Sequence, residues 1–249
     1  MSHKYLLLDA DGTFLDFERT EKEALGLLFD HFGIDEGLSS SYHKANSRCW
    51  EEFENGLITM EELKERRFDL FFRSQGLDFD AKEASRLYID ELSRHAYYMD
   101  GAEEMLSHLA HKHSLSVITN GIAQVQRGRL EALGAMRFFD HVIISEEVGA
   151  QKPAKVFFER ALALIGARKE DCLVIGDSLT SDIKGAQDAG IDAFHLHLGA
   201  SASPVDEELW GHGDSFASLL SAVDADQIDV EDQQLVGSDV SAAVAPVGL

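Results

Sequence analysis

The chain has 249 residues, 45 acidic and 22 basic, for a formal charge of −23 at pH 7. A polyanion of this kind is repelled by phosphate backbones and by anionic bilayers, so neither a polynucleotide nor a membrane surface is an expected partner. With 45% hydrophobic residues, the chain has enough apolar material for a sizeable core, in one large domain or two unequal ones.

The N-terminal stretch MSHKYLLLDADG holds a short apolar run, Lys4 to Leu8, ended by two aspartates. This is the pattern of a buried strand and not of a signal peptide. No segment approaches the roughly 20 apolar residues that span a bilayer. Cys49 and Cys172 are the only cysteines, and Cys172 opens an apolar run. A reducing cytoplasm is therefore expected, without a disulfide framework.

Between Phe17 and Tyr98 the pattern is almost wholly helical, with segments at Glu18 to Phe32, Ser41 to Glu54, Met60 to Ser74 and Ala81 to Tyr97. Thr59 and Glu62 form a capping box before the third segment, and Leu63, Arg67, Leu70 and Phe71 recur there at helical spacing. About a hundred residues separate Leu8 from the next strand-like run, too many for one crossover, so the stretch is a second folding unit. Two connections, near Leu15 to Phe17 and Met99 to Gly101, join it to the rest, which is the plan of a hinged lid.

Beyond it, apolar runs at Leu115 to Ile118, Val142 to Ile144, Leu173 to Ile175 and Ala193 to Leu196 alternate with helical patterns at Gln124 to Leu133, Lys155 to Ile165 and Ser181 to Ala189. Gly134, Gly166 and Gly190 close those helices. The alternation predicts an α/β fold: a doubly wound, Rossmann-like parallel sheet with an inserted all-helical cap. Every Lys and Arg lies between Lys4 and Lys184, while Gly185 to Leu249 carries twelve acids and no base. The chain therefore divides into a core (1–16 and 99–223), a helical cap (17–98) and an acidic, flexible tail (224–249).

Four short segments, each just after a predicted strand, carry the chemistry: Asp9-Ala10-Asp11-Gly12-Thr13, Thr119-Asn120-Gly121, Lys152-Pro153, and Gly176-Asp177-Ser178 with Asp182. In an open parallel sheet the ligand crevice lies at the carboxyl ends of the strands, so all four should converge there. Singly, each has an ordinary reading as a turn, a cap or a solvated side chain. Together they do not, because two aspartates about 4 Å apart repel by roughly 4 kcal/mol at an effective dielectric of about 20. A cluster of three needs a cation, and an all-oxygen donor set suits Mg²⁺ better than zinc.

These residues identify the chain as resembling the haloacid dehalogenase superfamily of aspartate-dependent phosphohydrolases. DADGT resembles its first motif, ITNG its second, the lysine of QKP its third and GDSLTSD its fourth, in the right order. The resemblance implies Asp9 as the nucleophile that forms an aspartyl-phosphate and Asp11 as the acid and base. It also implies Mg²⁺ held by Asp9, Asp177 and the Asp11 carbonyl, with Asp182 in support. Lys152 then screens charge, while the Thr119 hydroxyl and the amides of Asn120 and Gly121 cradle the phosphate. Carbon-halogen hydrolases of the superfamily lack an acid at the position of Asp11, so its presence here implies phosphoryl transfer.

Further stretches resemble one branch, the pyrimidine nucleotide 5′-nucleotidases that clear noncanonical nucleoside monophosphates. They are Trp50, Phe53, Asn55-Gly56, Ile58-Thr59 and Arg67-Phe68 in the cap, Val125-Gln126 and Arg129-Leu130 after ITNG, and Phe138 to Pro153. The implied partner is a small phosphorylated substrate, with Trp50 and Phe53 placed to stack on a base and Asn46 or Arg67 to bond its edge. Bundle packing is the competing reading for the aromatics, and a solvated face for Arg67.

Two alternatives stay open. The same machinery serves a phosphatase or phosphomutase acting on a sugar phosphate or phosphoglycolate, and a phosphoryl-receiver signalling module uses an Asp, a Thr or Ser and a Lys on a similar sheet. The helical insertion and Asp11 speak against the receiver. His108, His111 and His113 cluster at a predicted helix end away from the crevice, where the helix dipole favours protonated imidazole, and no metal role is expected.

Overall fold

The first strand shows how the sheet is buried. In the computed structural model, which describes residues 3–198 and 209–225, β1 (Tyr5–Leu8) lies at the centre of a six-stranded sheet. Leu6 and Leu8 face one apolar layer with Met105, Leu106 and Leu219, while Leu7 faces the other with Phe157 and Phe158. A strand covered on both faces has no polar face to show, which is why its sequence reads as a continuous apolar run.

The remaining strands are β2 (Ser114–Thr119), β3 (His141–Ile144), β4 (Cys172–Gly176), β5 (Asp192–Leu196) and β6 (Gly211–Gly213). All pair in parallel in the order β3-β2-β1-β4-β5-β6. Leu8 lies opposite both Val117 and Ile175, so β1 ends between β2 and β4, which run on to Thr119 and Gly176. The order reverses at β1, and that switch point is where a doubly wound sheet opens a crevice. Five of these strands match the predicted runs. The sixth has three residues, Gly211-His212-Gly213, and no apolar pattern to announce it.

Four helices make the cap: α1 (Phe17–Phe32), α2 (Ser39–Glu54), α3 (Met60–Gln75) and α4 (Ala81–Arg94). Their shared core includes Phe29 stacked on Phe71 at 5.6 Å, with Tyr42, Phe68 and Tyr88 around them. The Thr59 capping box is formed: Glu62 N–H donates to Thr59 Oγ1 at 3.2 Å, and Thr59 N–H to Glu62 Oε2 at 2.7 Å. The predicted helix to Tyr97 stops at Arg94. Tyr97 and Tyr98 are needed elsewhere, because Tyr97 O accepts from Asp16 N–H and Tyr98 forms a bridge with Leu15. Ile122 and Val125, from the far side of the crevice, belong to the cap's apolar cluster.

The core helices are α5 (Ala102–Ala110), α6 (Ala123–Ala132), α7 (Ser145–Val148), α8 (Lys155–Ile165) and α9 (Lys184–Ala189), the last preceded by a wide turn at Leu179–Ile183. Residues 216–225 are helical, so Asp224, where the sequence reading starts the tail, is still in regular structure. It accepts from Lys112 Nζ at 2.7 Å and from His108 Nε2 at 3.1 Å, while residues 226–249 lie outside the described residues. His113 differs from expectation: it is buried, and donates from Nδ1 to the carbonyl of His3 at 2.8 Å. Burial holds its pKa below the ordinary value, which favours the neutral ring. No helix among the described residues is long and apolar enough to cross a membrane.

Both cysteines are free and fully buried, Cys49 in the cap and Cys172 in β4. Burial pushes both thiols up, Cys172 to about 12. Neither should react with a thiol reagent in the native protein, and both should react in denaturant; native-state labelling of either, read by mass spectrometry, contradicts this packing.

Candidate active site

Parallel pairing delivers the four motif segments to one edge. Asp9 and Asp11 follow β1, Thr119 ends β2, Lys152 follows β3 and α7, and Asp177 follows β4. A cavity of about 240 Å³ opens there; the fourth segment reaches it through Ser181, while Asp177 and Asp182 do not line it. Its floor includes Asp9, Asp11, Thr119, Asn120, Gly121 and Lys152, and its roof Phe17, Asn46, Trp50, Arg67 and Leu92 from the cap.

Lys152 organises the floor. Its ammonium, 2% exposed, donates to Asp9 Oδ1 at 2.5 Å, Asp182 Oδ1 at 2.6 Å and the carbonyl of Ile118 at 2.9 Å. Three acceptors satisfy its three N–H groups. Burial works against the charged ammonium, but attraction to Asp182 and Asp9 more than offsets it, so the pKa of Lys152 is raised. Asp9 is also raised, mainly by burial and further by Asp182 and Asp11, with Lys152 pulling the other way.

Asn120 holds this lysine's backbone. Its Nδ2 donates to the Lys152 carbonyl and its Oδ1 accepts from Lys152 N–H, each at 2.8 Å. From the sequence, the Asn120 amide is expected to face the phosphate; its side chain's part in fixing the Lys152 loop is an addition. Gly121 N–H is likewise engaged, donating to Thr119 Oγ1 at 3.2 Å.

Asp182 is fully buried, and its Oδ2 accepts from Ser178 N–H at 3.1 Å. Asp177 is more exposed, with its carbonyl fixed by His195 Nε2 at 3.0 Å. A carbonyl only accepts, so Nε2 carries the proton. Asp177 has no ion-pair partner among the described residues. Partial burial of its carboxyl, then repulsion from Asp182, pushes it up to about 6. Gly12 makes room for it: at φ 80° a Cβ there would sit 2.4 Å from Asp177 Oδ2. Asp9, Asp177 and Asp182 offer ligand atoms within 4.8 Å of one another, an all-oxygen set of the kind that holds a hard divalent cation.

Two further residues reach the floor. Gln126 and Arg129, one turn apart on α6, are each 1% exposed. Arg129 Nη2 donates to Asp11 Oδ1 and Gln126 Oε1, both at 2.6 Å, and Gln126 Nε2 donates to Asp11 Oδ2 at 2.8 Å. Both lie in stretches whose sequence resembles the nucleotidase branch, but no catalytic role is expected of them from the sequence. The signal was a Gln and an Arg at helical spacing beside the buried Val125 and Leu130.

In the roof, Asn46 and Arg67 are buried, and Trp50 also lines the cavity. Phe53 does not line it; its ring meets Trp50 edge-on at 5.8 Å. Arg67 Nη1 reaches Asn46 Oδ1 at 3.5 Å, and Asn46 Nδ2 reaches Glu21 Oε1 at 3.3 Å. The Arg67 Nε and Nη2 atoms are buried without a hydrogen-bond partner among the described residues. The roof is tied to the floor by Lys64 of α3, which donates to Glu146 at 2.7 Å; Glu146 also accepts from Ala123 N–H at the start of α6.

Comparison with known proteins agrees with this geometry. The haloacid dehalogenase-like hydrolase family matches residues 6–196. The chain is 34% identical to the pyrimidine 5′-nucleotidase PynA of Streptococcus pneumoniae, over 90% of this chain and 96% of that one. Identity to the pyrimidine 5′-nucleotidase YjjG of Escherichia coli is 30%, over 79% and 87%. For the HAD-hydrolase YfnB of Bacillus subtilis it is 35%, over 78% and 84%. The crystal structure of YfnB bound to magnesium superposes with a TM-score of 0.82, covering 90% of this chain and all of that one.

Lys152→Ala should leave Asp9 and Asp182 facing each other unpaired and cost about 3–5 kcal/mol of stability, as for other broken buried ion pairs. Added Mg²⁺ should recover part of the loss. Urea unfolding with and without Mg²⁺ measures both, and an unchanged midpoint removes Lys152 from its central place.

Proposed function

The chain belongs to the haloacid dehalogenase-like hydrolases, and from that membership we propose a Mg²⁺-dependent phosphomonoesterase acting through an aspartyl-phosphate on nucleoside 5′-monophosphates. One observation carries the reading: the Asp9 and Asp11 carboxylates, Lys152 and the Thr119 hydroxyl line one side of a cavity whose other side is aromatic and hydrogen-bonding. The pyrimidine 5′-nucleotidases among the relatives support the substrate class.

Asp9, Asp177 and the backbone carbonyl of Asp11 would hold the cation, with Asp182 behind them. When bound, Mg²⁺ neutralises charge on the phosphoryl oxygens and on Asp9. Lys152 holds Asp9 with one oxygen engaged, leaving the other to attack phosphorus. As the new Asp9 oxygen–phosphorus bond forms, the ester P–O bond breaks, and Asp11 gives its proton to the departing oxygen. Water then attacks the phosphoryl group and loses a proton to Asp11, releasing inorganic phosphate and restoring Asp9. Such acid and base work contributes about 10²- to 10⁴-fold in rate.

Thr119 and the Asn120 amide take the phosphate oxygens. Phe17, Trp50 and Leu92 supply apolar surface for a flat heterocycle, and Arg67 and Asn46 supply donors for its edge. A buried guanidinium with unpartnered N–H groups is costly until an acceptor arrives, so a base carbonyl is favoured there over an apolar group. Specificity of this kind comes from the leaving group and not from the phosphate.

Asp9→Asn should abolish phosphate release while leaving the circular dichroism spectrum unchanged; turnover by that variant, with deamidation excluded by mass spectrometry, removes the nucleophile. Chelator should remove activity and Mg²⁺ restore it. Across a panel of phosphomonoesters, pyrimidine nucleoside monophosphates should exceed sugar phosphates and phosphoglycolate in kcat/KM, and isomerised product without free phosphate would instead mark a mutase.

A further inference from the structure

Asp11 is held from both sides. Each of its carboxylate oxygens accepts one bond, Oδ1 from Arg129 Nη2 at 2.6 Å and Oδ2 from Gln126 Nε2 at 2.8 Å. The second Nη2 hydrogen goes to Gln126 Oε1 at 2.6 Å, which fixes that amide's orientation. Gln126 Nε2 spends its other hydrogen on Thr119 Oγ1 at 3.0 Å. Thr119 Oγ1 also accepts from Gly121 N–H, so with two donors pointing at it, its own proton is left to donate into the cavity.

The chain has made space for this link. A Cβ on Gly121 would lie 2.1 Å from Gln126 Nε2, so the glycine after Asn120 is required by the passage of a side chain as well as by any ligand. Arg129, 1% exposed, is not a solvated charge, and its guanidinium lies 5.4 Å from the ring of Phe17, the first residue of the cap.

We infer that Gln126 and Arg129 are positioning residues for proton transfer: they hold the Asp11 carboxyl toward the cavity, stabilise the carboxylate left when its proton passes to the departing oxygen, and keep Thr119 a donor to the phosphate. This rests on the reading of Asp11 as the leaving-group acid. In the balanced step, the ester P–O bond breaks, the Asp11 proton joins the departing oxygen, and the new negative charge falls between Arg129 Nη2 and Gln126 Nε2. Neither residue exchanges a proton.

The signature is dependence on the leaving group. p-Nitrophenolate departs readily without a proton, whereas the alkoxide of benzyl alcohol, a leaving group of similar shape, does not. The kcat/KM ratio of benzyl phosphate to p-nitrophenyl phosphate should fall at least tenfold in Arg129→Met and in Gln126→Met, as it should in Asp11→Asn. Arg129→Met should lower the ratio no further when Asp11 is already Asn. A merely structural role lowers both substrates alike, and equal losses in the folded variants overturn the inference. If Arg129→Met does not fold, Gln126→Met bears the same expectation by itself. Should Asp11→Asn fail to change the ratio, the acid assignment falls first and this inference with it. Discrimination by Asp11→Asn alone leaves the acid in place and refutes its supports.

Discussion

Carboxylate crowding at the carboxyl ends of β1 and β4 is the constraint on which this structure depends. Asp9, Asp11, Asp177 and Asp182 stand together there, and the fold meets them with fixed cations of its own. Lys152 spans Asp9 and Asp182, and Arg129 pairs with Asp11. Asp177 is left over, with its carboxyl pushed up to about 6. The acid without a protein cation stands beside Asp9, where a divalent ion would complete the neutralisation, and the net charge of −23 is irrelevant at that scale. On the proposed function, the cationic spot that receives a phosphate dianion would be local, completed by the bound cation.

The same cluster explains several residues that have no chemistry of their own. Gly12 is small because Asp177 leans on it, and Gly121 because Gln126 crosses it. Asn120 spends its side chain on the backbone of Lys152, so the second motif steadies the third. Glu146 joins α6 to the cap through Lys64, and Gly128 lets α6 approach α4 so closely that a Cβ would lie 2.6 Å from the Ser93 carbonyl. The helix that carries Gln126 and Arg129 is thus also the seat of the cap, and roof and floor share one element.

Much of the molecule was legible beforehand. Buried parallel strands are short continuous apolar runs, and the cap helices carry a 3.6-residue period, with the Thr59 and Glu62 box marking the start of α3; both signals are local. What failed had its cause far away in the chain. Helix α4 ends before its propensity does, because Tyr97 and Tyr98 are drawn into pairing with the chain at Leu15 and Asp16. Strand β6 has no side-chain pattern and exists because β5 offers an edge. His113 reads as a helix-end imidazole that the dipole would protonate; it is instead buried, which favours the neutral ring, and its partner His3 lies 110 residues away.

By itself the sequence determined the parallel sheet, the helical insertion and the four motif segments, since each is written in the period or spacing of neighbouring residues. Only the tertiary structure decided which cation meets which acid, that Phe53 backs Trp50 without lining the cavity, and that Arg67 is buried with donors to spare. It also decided that Gln126 and Arg129 belong to Asp11, over a hundred residues away in the chain. The reason is physical: a hydrogen bond or ion pair depends on a separation of about 3 Å in space, and sequence order fixes such separations only within a turn or a strand.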